Sequence, residues 1–366
     1  MKYFLIAGEP SGDLHGAQLI KAIQSVQSDA VFVGHGGDKM AKTGMRIIEH
    51  VDQLSIMGFT EVLKHLPRML KIMGQTVEVI QRYKPDRVIL IDYPGFNLRL
   101  AKNIHHLKIP ITYFILPQVW AWKENRIKTI KKYVDQSLCI FPFEQAWFES
   151  RGISANYIGH PFVDRPPLSI KKEDYFASHG LNPKQPLLVL LPGSRKQEIN
   201  RHWPIFLETV TLLKKQKPEY QFILGKSPHV TIEPCPDFIK IEKDARFAMT
   251  HGSAAITASG TATLECAVED IPLIVCYKLS RVSWWITRWA TKVKYISMVN
   301  LILNRMLVPE LLQKEMTADR LSSAIIPLLE SKSAVRKKML NGFNEVRRSL
   351  GLPGVYERAA KAIAER

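Results

Sequence analysis

The sequence predicts an α/β protein made of two doubly wound parallel-sheet domains. In both halves of the chain, short apolar runs of strand length alternate with segments of helical periodicity, which is the pattern of parallel strands covered by helices on both faces. At 366 residues, the chain is long for one hydrophobic core. A proline-rich stretch with few apolar residues, HPFVDRPPLSIKKED from His160, separates the two halves and indicates a linker.

The predicted elements follow from that alternation, taken in chain order. Helical periodicity predicts helices over Gly16–Gln27 and Leu70–Tyr83, and the basic chain after about Glu330 is predicted to be helical and to end in a small helix, Val355–Arg366. Ligands of such folds bind at the carboxyl ends of the strands, so we expect a cleft that both sheets face. Strands are predicted at Tyr3–Ala7, Ala30–Gly34, Arg87–Asp92, Ile111–Ile115, Gln136–Ile140, Leu187–Leu191, Gln221–Leu224, Ala254–Thr257 and Leu273–Cys276.

Composition and charge indicate a globular protein with an anionic partner. Of the residues, 46% are hydrophobic and 23% are charged. The four cysteines have no C-x-x-C spacing, so neither a zinc site nor a disulfide framework is predicted. No apolar run suits a secretory signal or a membrane helix, which favours a cytoplasmic location. The net charge of +17 favours nucleic acid, anionic lipid or a phosphorylated substrate, and a solvated basic surface is the alternative.

Two strand-to-helix turns in the second half have the character of phosphate sites. In LVLLPGSRKQEI, the turn allows close backbone approach, and Arg195 offers a planar fork for phosphate oxygens. In AAITASGTATLECA, a strand runs into Ser259, Gly260 and Thr261, where a helix start attracts anions. Glu265 is placed to accept ribose hydroxyls, although an N-capped helix with an early acid looks similar. Because neither a P-loop nor a strict G-x-G-x-x-G motif occurs, the pair suits a nucleotide-sugar better than ATP or NAD.

The first half carries candidate residues for a sugar acceptor. Asp92 follows a buried strand, with Asn97 close by, and a carboxylate at the mouth of a sheet can act as a general base for a sugar hydroxyl. An Asp that caps a strand end is the alternative. His15 is either catalytic or, as is more common for a histidine in a first helical turn, a capping or solvated residue. In the opening turn, three polar side chains could bind sugar hydroxyls: Glu9, Ser11 and Asp13. Two glycines of the same turn, Gly8 and Gly12, allow close approach of a ligand.

Together these motifs resemble those of the lipid A disaccharide synthase family. They occur from residue 8 to about residue 303 in the family's order. The resemblance implies a GT-B glycosyltransferase fold of two Rossmann-like domains facing a cleft, with the C-terminal helix crossing back onto the first. We expect the acceptor domain at 1–163 with a helix at about 345–366, and the UDP-sugar domain at 164–344. The matching stretches are GEPSGDLHGA, GFTEVL, DYPGFN, PQVWAW, FPFE, IGHP, LLPGSRKQEI, ASGTATLE and YISMVNLIL.

The resemblance also implies a reaction. The expected enzyme is an inverting transferase of lipopolysaccharide biosynthesis that joins UDP-2,3-diacylglucosamine to 2,3-diacylglucosamine 1-phosphate, forms the β-1,6 disaccharide 1-phosphate and releases UDP. No cofactor is expected, and no metal either, because enzymes of this fold generally need none. Arg195 and the helix start at Ser259–Ala262 would stabilise the leaving UDP instead.

Residue roles carry over by motif match. The resemblance implies that Asp92 is the base, Arg195 the pyrophosphate partner and Glu265 the ribose acceptor. Glu198 after the GSR turn and Asn300 in VNLIL would line the donor pocket. The motifs depart from the family at PQVWAW, whose glutamine stands where serine is usual, and the histidine of the opening motif inherits no role.

Two segments are candidates for membrane contact, since both implied substrates carry acyl chains. SIMGFTEVLKHLPRMLKIM has apolar residues at helical spacing with basic residues among them, which suits an anionic bilayer surface, although a core-facing helix looks similar. The stretch Tyr277–Arg305 has six Lys or Arg residues, three tryptophans and no acid, which favours either a headgroup zone or tryptophans buried at an interdomain or subunit contact. The residues expected at the membrane are Ile56, Met57, Phe59, Leu66, Met69 and Leu70.

Other function classes stay open from the sequence. Another enzyme acting on UDP-sugars, such as a non-hydrolysing epimerase or a different transferase, would show similar turns. The charge motivates a nucleic-acid-binding protein, but no such motif occurs and the basic residues lie beside apolar ones. We therefore expect the two acylated sugars as substrates, peripheral attachment to an anionic inner membrane from the cytoplasm and no nucleic acid. A homodimer, with C-terminal helices exchanged, is compatible with the pattern.

Overall fold

The computed structural model of the chain divides into two compact units, 1–164 with 350–366, and 165–349. The structure describes residues 1–54, 66–226, 232–280, 284–285 and 293–365. Each unit is a parallel sheet with helices, so the predicted fold class is confirmed. None of the described helices has both the length and the apolarity needed to cross a bilayer.

The first unit contains a parallel sheet whose central strands are almost fully buried, as the apolar runs predicted. Its strands are β1 (Lys2–Ala7), β2 (Val31–Gly36), β3 (Arg46–His50), β4 (Arg87–Ile91), β5 (Ile111–Phe114), β6 (Gln136–Cys139) and β7 (Ala155–Tyr157). Their order across the sheet is β3-β2-β1-β4-β5-β6-β7. The helices that precede the linker are α1 (Pro10–Val26), α2 (Asp38–Ala41), α3 (Val51–Leu54), α4 (Leu66–Tyr83), α5 (Pro94–Ile104), α6 (Ile127–Tyr133) and α7 (Glu144–Glu149).

The strand order of the first sheet reverses at β1, because β2 and β3 extend to one side of it and β4 pairs with the other. Ala7 at the end of β1 is paired with Ile91 at the end of β4. The two turns that follow, starting at Gly8 and Asp92, therefore leave the sheet side by side. Such a switch point is where doubly wound sheets bind ligands.

The second unit repeats this plan. Its strands are β8 (Leu187–Leu191), β9 (Gln221–Gly225), β10 (Ile239–Glu242), β11 (Ala254–Ala258), β12 (Leu273–Tyr277) and β13 (Glu310–Leu312), in the order β10-β9-β8-β11-β12-β13. Leu191 at the end of β8 pairs with Thr257 near the end of β11, so the switch point lies between these strands. Its helices are α8 (Lys172–Ser178), α9 (Lys196–Gln216), α10 (Ala245–His251), α11 (Thr261–Val268), α12 (Met298–Leu303), α13 (Ala318–Leu329) and α14 (Ala334–Ser349).

The last helix, α15 (Val355–Ala364), returns to the first unit and packs on α1. Asp164 fixes its start, since its carboxylate accepts hydrogen bonds from the backbone N–H of Gly354 at 2.7 Å and of Val355 at 2.8 Å. His15 on α1 is hydrogen-bonded through Nδ1 to the hydroxyl of Tyr356 on α15 at 2.9 Å. The histidine of the opening motif thus joins α1 to α15.

Candidate active site

A cavity of about 660 Å³ opens at the switch point of the second sheet. Its walls come from the ends of β8, β9 and β11 and from the first residues of α9 and α11, so it lies where doubly wound sheets bind ligands. Of the residues predicted from the sequence to contact the nucleotide, those that line this cavity are Arg195, Glu198, Ser259, Gly260, Thr261 and Glu265.

The turn after β8 is shaped by a glycine and a glutamate. Gly193 has φ +118°, and a Cβ there would lie 2.6 Å from a carboxylate oxygen of Glu198. That carboxylate accepts the N–H of Ser194 and of Arg195, each at 3.3 Å, and the hydroxyl of Tyr277 at 3.2 Å. The side chain of Arg195, at the start of α9, is 68% exposed. Glu198 therefore holds the turn, and Arg195 is accessible to a ligand.

The turn after β11 depends on Gly260, the residue before α11. Its φ of +148° is a conformation that side chains disfavour, and beyond its chain neighbours no described residue has an atom within 4 Å of where a Cβ would be. The hydroxyl of Ser259 donates to the carbonyl of Ile296 at 2.9 Å, which fixes the turn. The first residues of α11, starting at Thr261, thus reach the cavity and bring the positive end of the helix dipole to it.

Glu265 also faces the cavity, one turn into α11. Arg165, from the predicted linker, forms an ion pair with its carboxylate. A charge-assisted contact of this kind orients the carboxylate and leaves lone pairs for hydroxyl donors. Two lysines that the sequence analysis missed, Lys226 and Lys243, line the cavity as well. Lys226 directly follows β9, so its position after a predicted strand was the signal that could have found it.

In the first unit, Asp92 lies in a strained turn. Asp92 and Tyr93 have φ values of 42° and 46°, a region that costs non-glycine residues about 1–3 kcal/mol each. The carbonyl of Asp92 accepts the side-chain N–H of Asn97 at 2.7 Å and the hydroxyl of Tyr113 at 2.6 Å. These bonds hold the turn, so Asn97, which is fully buried, positions the backbone of Asp92 and does not reach out to a sugar.

The surroundings of Asp92 favour its protonated form. Burial, and next the negative charge of Glu9, raise the pKa of Asp92 to about 6. Burial, and next the negative charge of Asp92, also raise the pKa of the Tyr113 hydroxyl. A carboxylate with a pKa just below neutrality is deprotonated at pH 7 and still basic enough to take a proton, as a general base must.

The opening turn lies against the Asp92 turn. A Cβ on Gly8 would come within 2.2 Å of the ring of Tyr93, so only glycine fits there. Glu9 is partly buried and Ser11 is exposed, and a Cβ on Gly12 would lie 3.2 Å from the Cβ of Ala7. From this turn, the negative charge of Glu9 contributes to the raised pKa of Asp92.

Two further residues predicted to contact substrate, Asp13 and Asn300, have other hydrogen-bond partners in the structure, as Asn97 does. Asp13 is only 5% exposed, and its carboxylate accepts the N–H of Gly37 at 2.7 Å, of Met40 at 3.0 Å and of Lys39 at 3.1 Å. It caps α2 and is not available to a sugar hydroxyl.

Asn300 is fully buried and does not line the cavity. Its amide nitrogen donates to the carbonyl of Val308 at 2.9 Å and to Glu310 at 2.8 Å. Its oxygen accepts the N–H of Leu307 at 2.8 Å and of Val308 at 3.0 Å. Because all of this capacity is used inside the unit, Asn300 anchors the chain between α12 and β13.

The predicted membrane residues are only partly described. Ile56, Met57 and Phe59 lie outside the described residues, as does the side chain of Leu66. Met69 is partly buried against the core of the first unit, whereas Leu70 is 60% exposed. In the basic stretch 277–305, Trp285 is 71% exposed, Trp284 is partly buried, and Trp289 lies outside the described residues.

The PQVWAW and FPFE motifs meet in the interior of the first unit. Glu144 is fully buried and accepts the indole N–H of Trp120 at 2.9 Å. It also accepts the N–H of Ile140 at 3.1 Å and of Phe141 at 3.0 Å. Burial nevertheless raises the pKa of Glu144 to about 7. These motifs therefore maintain structure.

Among the described residues, no group of His, Cys, Asp or Glu is arranged to hold a metal ion.

Comparison with known proteins identifies the family. The profile of Lipid-A-disaccharide synthetase matches residues 3–363. A Lipid-A-disaccharide synthase of Myxococcus xanthus is 38% identical over 376 residues, which covers 100% of this chain and 97% of that protein. Another, from Acidobacterium capsulatum, is 38% identical over 96% of this chain and 92% of that protein. The chain belongs to the lipid-A-disaccharide synthetase family. The predicted family and the predicted enzyme class, a glycosyltransferase, are both confirmed.

Solved structures give the fold of this lipid-A-disaccharide synthetase family member. A UDP-GlcNAc 2-epimerase from Neisseria meningitidis bound to UDP-GlcNAc is similar with a TM-score of 0.63 and 13% identity, over 100% of this chain and 99% of that chain. The glycosyltransferase of kitacinnamycin has a TM-score of 0.67 at 13% identity, over 100% and 98%. At these identities the likeness shows the fold alone, which is the GT-B fold that was predicted.

Proposed function

We propose that the chain transfers the sugar of UDP-2,3-diacylglucosamine to 2,3-diacylglucosamine 1-phosphate, giving the β-1,6-linked disaccharide 1-phosphate and UDP. The observation that carries this proposal is the family match over residues 3–363. The cavity of the second unit and the Asp92 turn of the first unit supply the two kinds of chemistry that the reaction needs.

In this proposal the donor's UDP group occupies the cavity of the second unit. Arg195 binds the pyrophosphate, and the start of α11 at Gly260 and Thr261 contributes its N–H groups and dipole. Both act on the oxygens where negative charge develops as the bond to the sugar breaks. Glu265, oriented by Arg165, accepts the ribose hydroxyls.

On the acceptor side, Asp92 is the proposed general base. It takes the proton of the 6-hydroxyl while that oxygen forms a bond to the anomeric carbon of the donor. The bond between this carbon and the UDP oxygen breaks, and UDP leaves with the electron pair. Attack from the face opposite the leaving group inverts the configuration, which gives the β linkage. The pKa of about 6 suits this task at neutral pH.

The acyl chains of both substrates place the proposed reaction at a membrane surface. We propose peripheral attachment to the cytoplasmic face of the inner membrane through the segment 56–70, supported by the exposed Leu70 and the net charge of +17. Nucleic acid is not a proposed partner, and a homodimer is compatible with the proposal.

The purified chain, incubated in neutral detergent with both substrates, tests this function. The proposal predicts one UDP released for each disaccharide 1-phosphate formed, measured by mass spectrometry, and no product from either substrate alone. Isomerisation of UDP-N-acetylglucosamine without any disaccharide would contradict it in favour of an epimerase.

Flotation with phosphatidylglycerol vesicles, compared with duplex DNA binding at the same salt, tests the proposed membrane partner. Binding of DNA alone would contradict membrane attachment.

A further inference from the structure

A second cavity, of about 470 Å³, lies in the first unit beside the Asp92 turn. Its wall begins at Tyr93, the residue that follows Asp92, and continues along α5 through Phe96. Met69, Leu70 and Met73 of α4 form another part of the wall, so much of this surface is apolar. It offers burial to a hydrocarbon chain.

Four cations complete the same cavity, and no acidic residue is among the described residues that line it. Arg99 and Lys102 lie three residues apart on α5 and so share one face of the helix, while Lys123 and Arg126 lie before α6. Glu124 is the acid between the latter two in sequence, and it pairs with Arg151 at 3.0 Å.

The charges of Arg99 and Arg126 disfavour one another. Burial, together with the charge of Arg99, lowers the pKa of Arg126. Like charges gathered without a described carboxylate among them create a positive potential that a bound anion relieves. Beside an apolar wall, such a group of cations matches a ligand that carries both a hydrocarbon chain and a phosphate.

We infer that this cavity binds the glycosyl acceptor, with an acyl chain against the apolar wall and the 1-phosphate held by Arg99 and Arg126. This inference rests on the proposed function. In the acceptor, the 1-phosphate and the 6-hydroxymethyl group are attached to the two carbons that flank the ring oxygen. The phosphate site must therefore lie within a sugar's width of the base, and the cavity wall starts at the residue after Asp92.

The occupant is the phosphate monoester of the substrate and not a membrane headgroup. A monoester carries about 1.5–2 negative charges at pH 7, whereas the diester of a phospholipid carries one. An Arg fork binds such a group through paired hydrogen bonds. The arginines therefore make the enzyme select an acceptor with a free phosphate at carbon 1.

Kinetics with two acceptors tests this inference. Arg99→Ala and Arg126→Ala are compared with wild type in neutral detergent micelles, using 2,3-diacylglucosamine with and without its 1-phosphate. We expect kcat/KM for the phosphorylated acceptor to fall about 10- to 100-fold, and that for the dephosphorylated acceptor to change less than about 3-fold. Lys128→Ala, which removes an exposed cation of α6 outside the cavity, is the matched control and should change neither.

Equal losses with both acceptors, or none, would overturn the inference. A loss seen only when the acceptor is presented in phosphatidylglycerol vesicles would assign the cations to headgroups and overturn it as well. Because Arg126 is partly buried, Arg99→Ala, at an exposed position, is the variant that decides. If wild type makes no disaccharide, the proposed function fails. Equilibrium binding of the two acceptors to wild type and Arg99→Ala then still tests the cavity, with the same selective loss expected.

Discussion

The two sheets of this protein have equivalent switch points with opposite chemistry. In the second unit, the edge between β8 and β11 presents Arg195, Lys226 and the start of α11 around one cavity. In the first unit, the edge between β1 and β4 presents Asp92 and Glu9, two acids close enough to raise a pKa. The topology supplies the same open edge twice, and the residues that follow the strands decide what each edge can do.

The backbone conformation of the turns also differs between the two edges. The turn after β11 has a glycine, Gly260, at φ +148°, which suits the proposed contact between its backbone and the pyrophosphate. At Asp92, whose side chain is the proposed base, a non-glycine residue occupies the left-handed region at φ 42°, held by Asn97 and Tyr113. Under the proposed function, one edge binds the nucleotide and the other transfers the proton.

The largest effect should come from the base. Asp92→Asn keeps the shape of the side chain and removes its proton affinity, so we expect kcat to fall about 10²- to 10⁴-fold. The affinity for UDP, measured by calorimetry, should stay within about 2-fold of wild type. Normal turnover in this variant would break the division between the edges.

Loss of the cation at the other edge should have a smaller effect on rate and a clear effect on binding. Arg195→Ala is expected to weaken UDP binding and lower kcat/KM about 10- to 100-fold, because a charge-assisted contact to the pyrophosphate is lost. Arg201→Ala, on the same helix but outside the cavity, is the control. Unchanged UDP affinity in Arg195→Ala would remove this residue from the nucleotide site.

The raised pKa also predicts a stability effect. Folding raises the pKa of the Asp92 carboxyl from its usual value near 4 to about 6. Above pH 6 the carboxyl is charged in both the folded and the unfolded state, and its burial then destabilises the folded state. Asp92→Asn should therefore raise the free energy of unfolding by about 3 kcal/mol at pH 8. The gain should shrink as the pH falls from 6 towards 4. Urea denaturation at several pH values measures it, and a pH-independent difference would contradict the raised pKa.

The smallest effect concerns the second acid of that edge. The charge of Glu9 raises the pKa of Asp92, so Glu9→Gln should lower it. In wild type, kcat/KM should decline as the pH drops through about 6, because the base becomes protonated. In Glu9→Gln the decline should move to lower pH. A shift to higher pH would mean that Glu9 does not act on Asp92 through its charge.

The central strands were predictable from the sequence, and the edge strands were not. The nine predicted strands all exist, with ends within two residues of those predicted. The strands that were not predicted are β3, β7, β10 and β13, which are the outer strands of the two sheets. An outer strand has a neighbour on one side only and is partly exposed, as in Arg46–His50, so its residues are not a continuous apolar run.

Site residues likewise differ in whether local sequence or tertiary packing determines their surroundings. Residues directly after a central strand, such as Asp92 and Ser259, were predictable because the apolar run marks where the strand ends. Asp13 and Asn300 were assigned to ligands because they lie in motifs, but their partners, the N–H groups of Gly37 and Leu307, become neighbours only through tertiary packing. A polar residue in a motif is therefore not evidence of ligand contact until its hydrogen bonds are known.

Hydrogen–deuterium exchange on addition of UDP tests the division of labour most directly. The account predicts slower exchange of the backbone N–H groups in the turns after β8 and β11, at residues 193–198 and 258–265. It predicts no change in the turns after β1 and β4, at residues 8–13 and 92–97. Protection of the first unit's turns by UDP, with the second unit's turns unaffected, would contradict it.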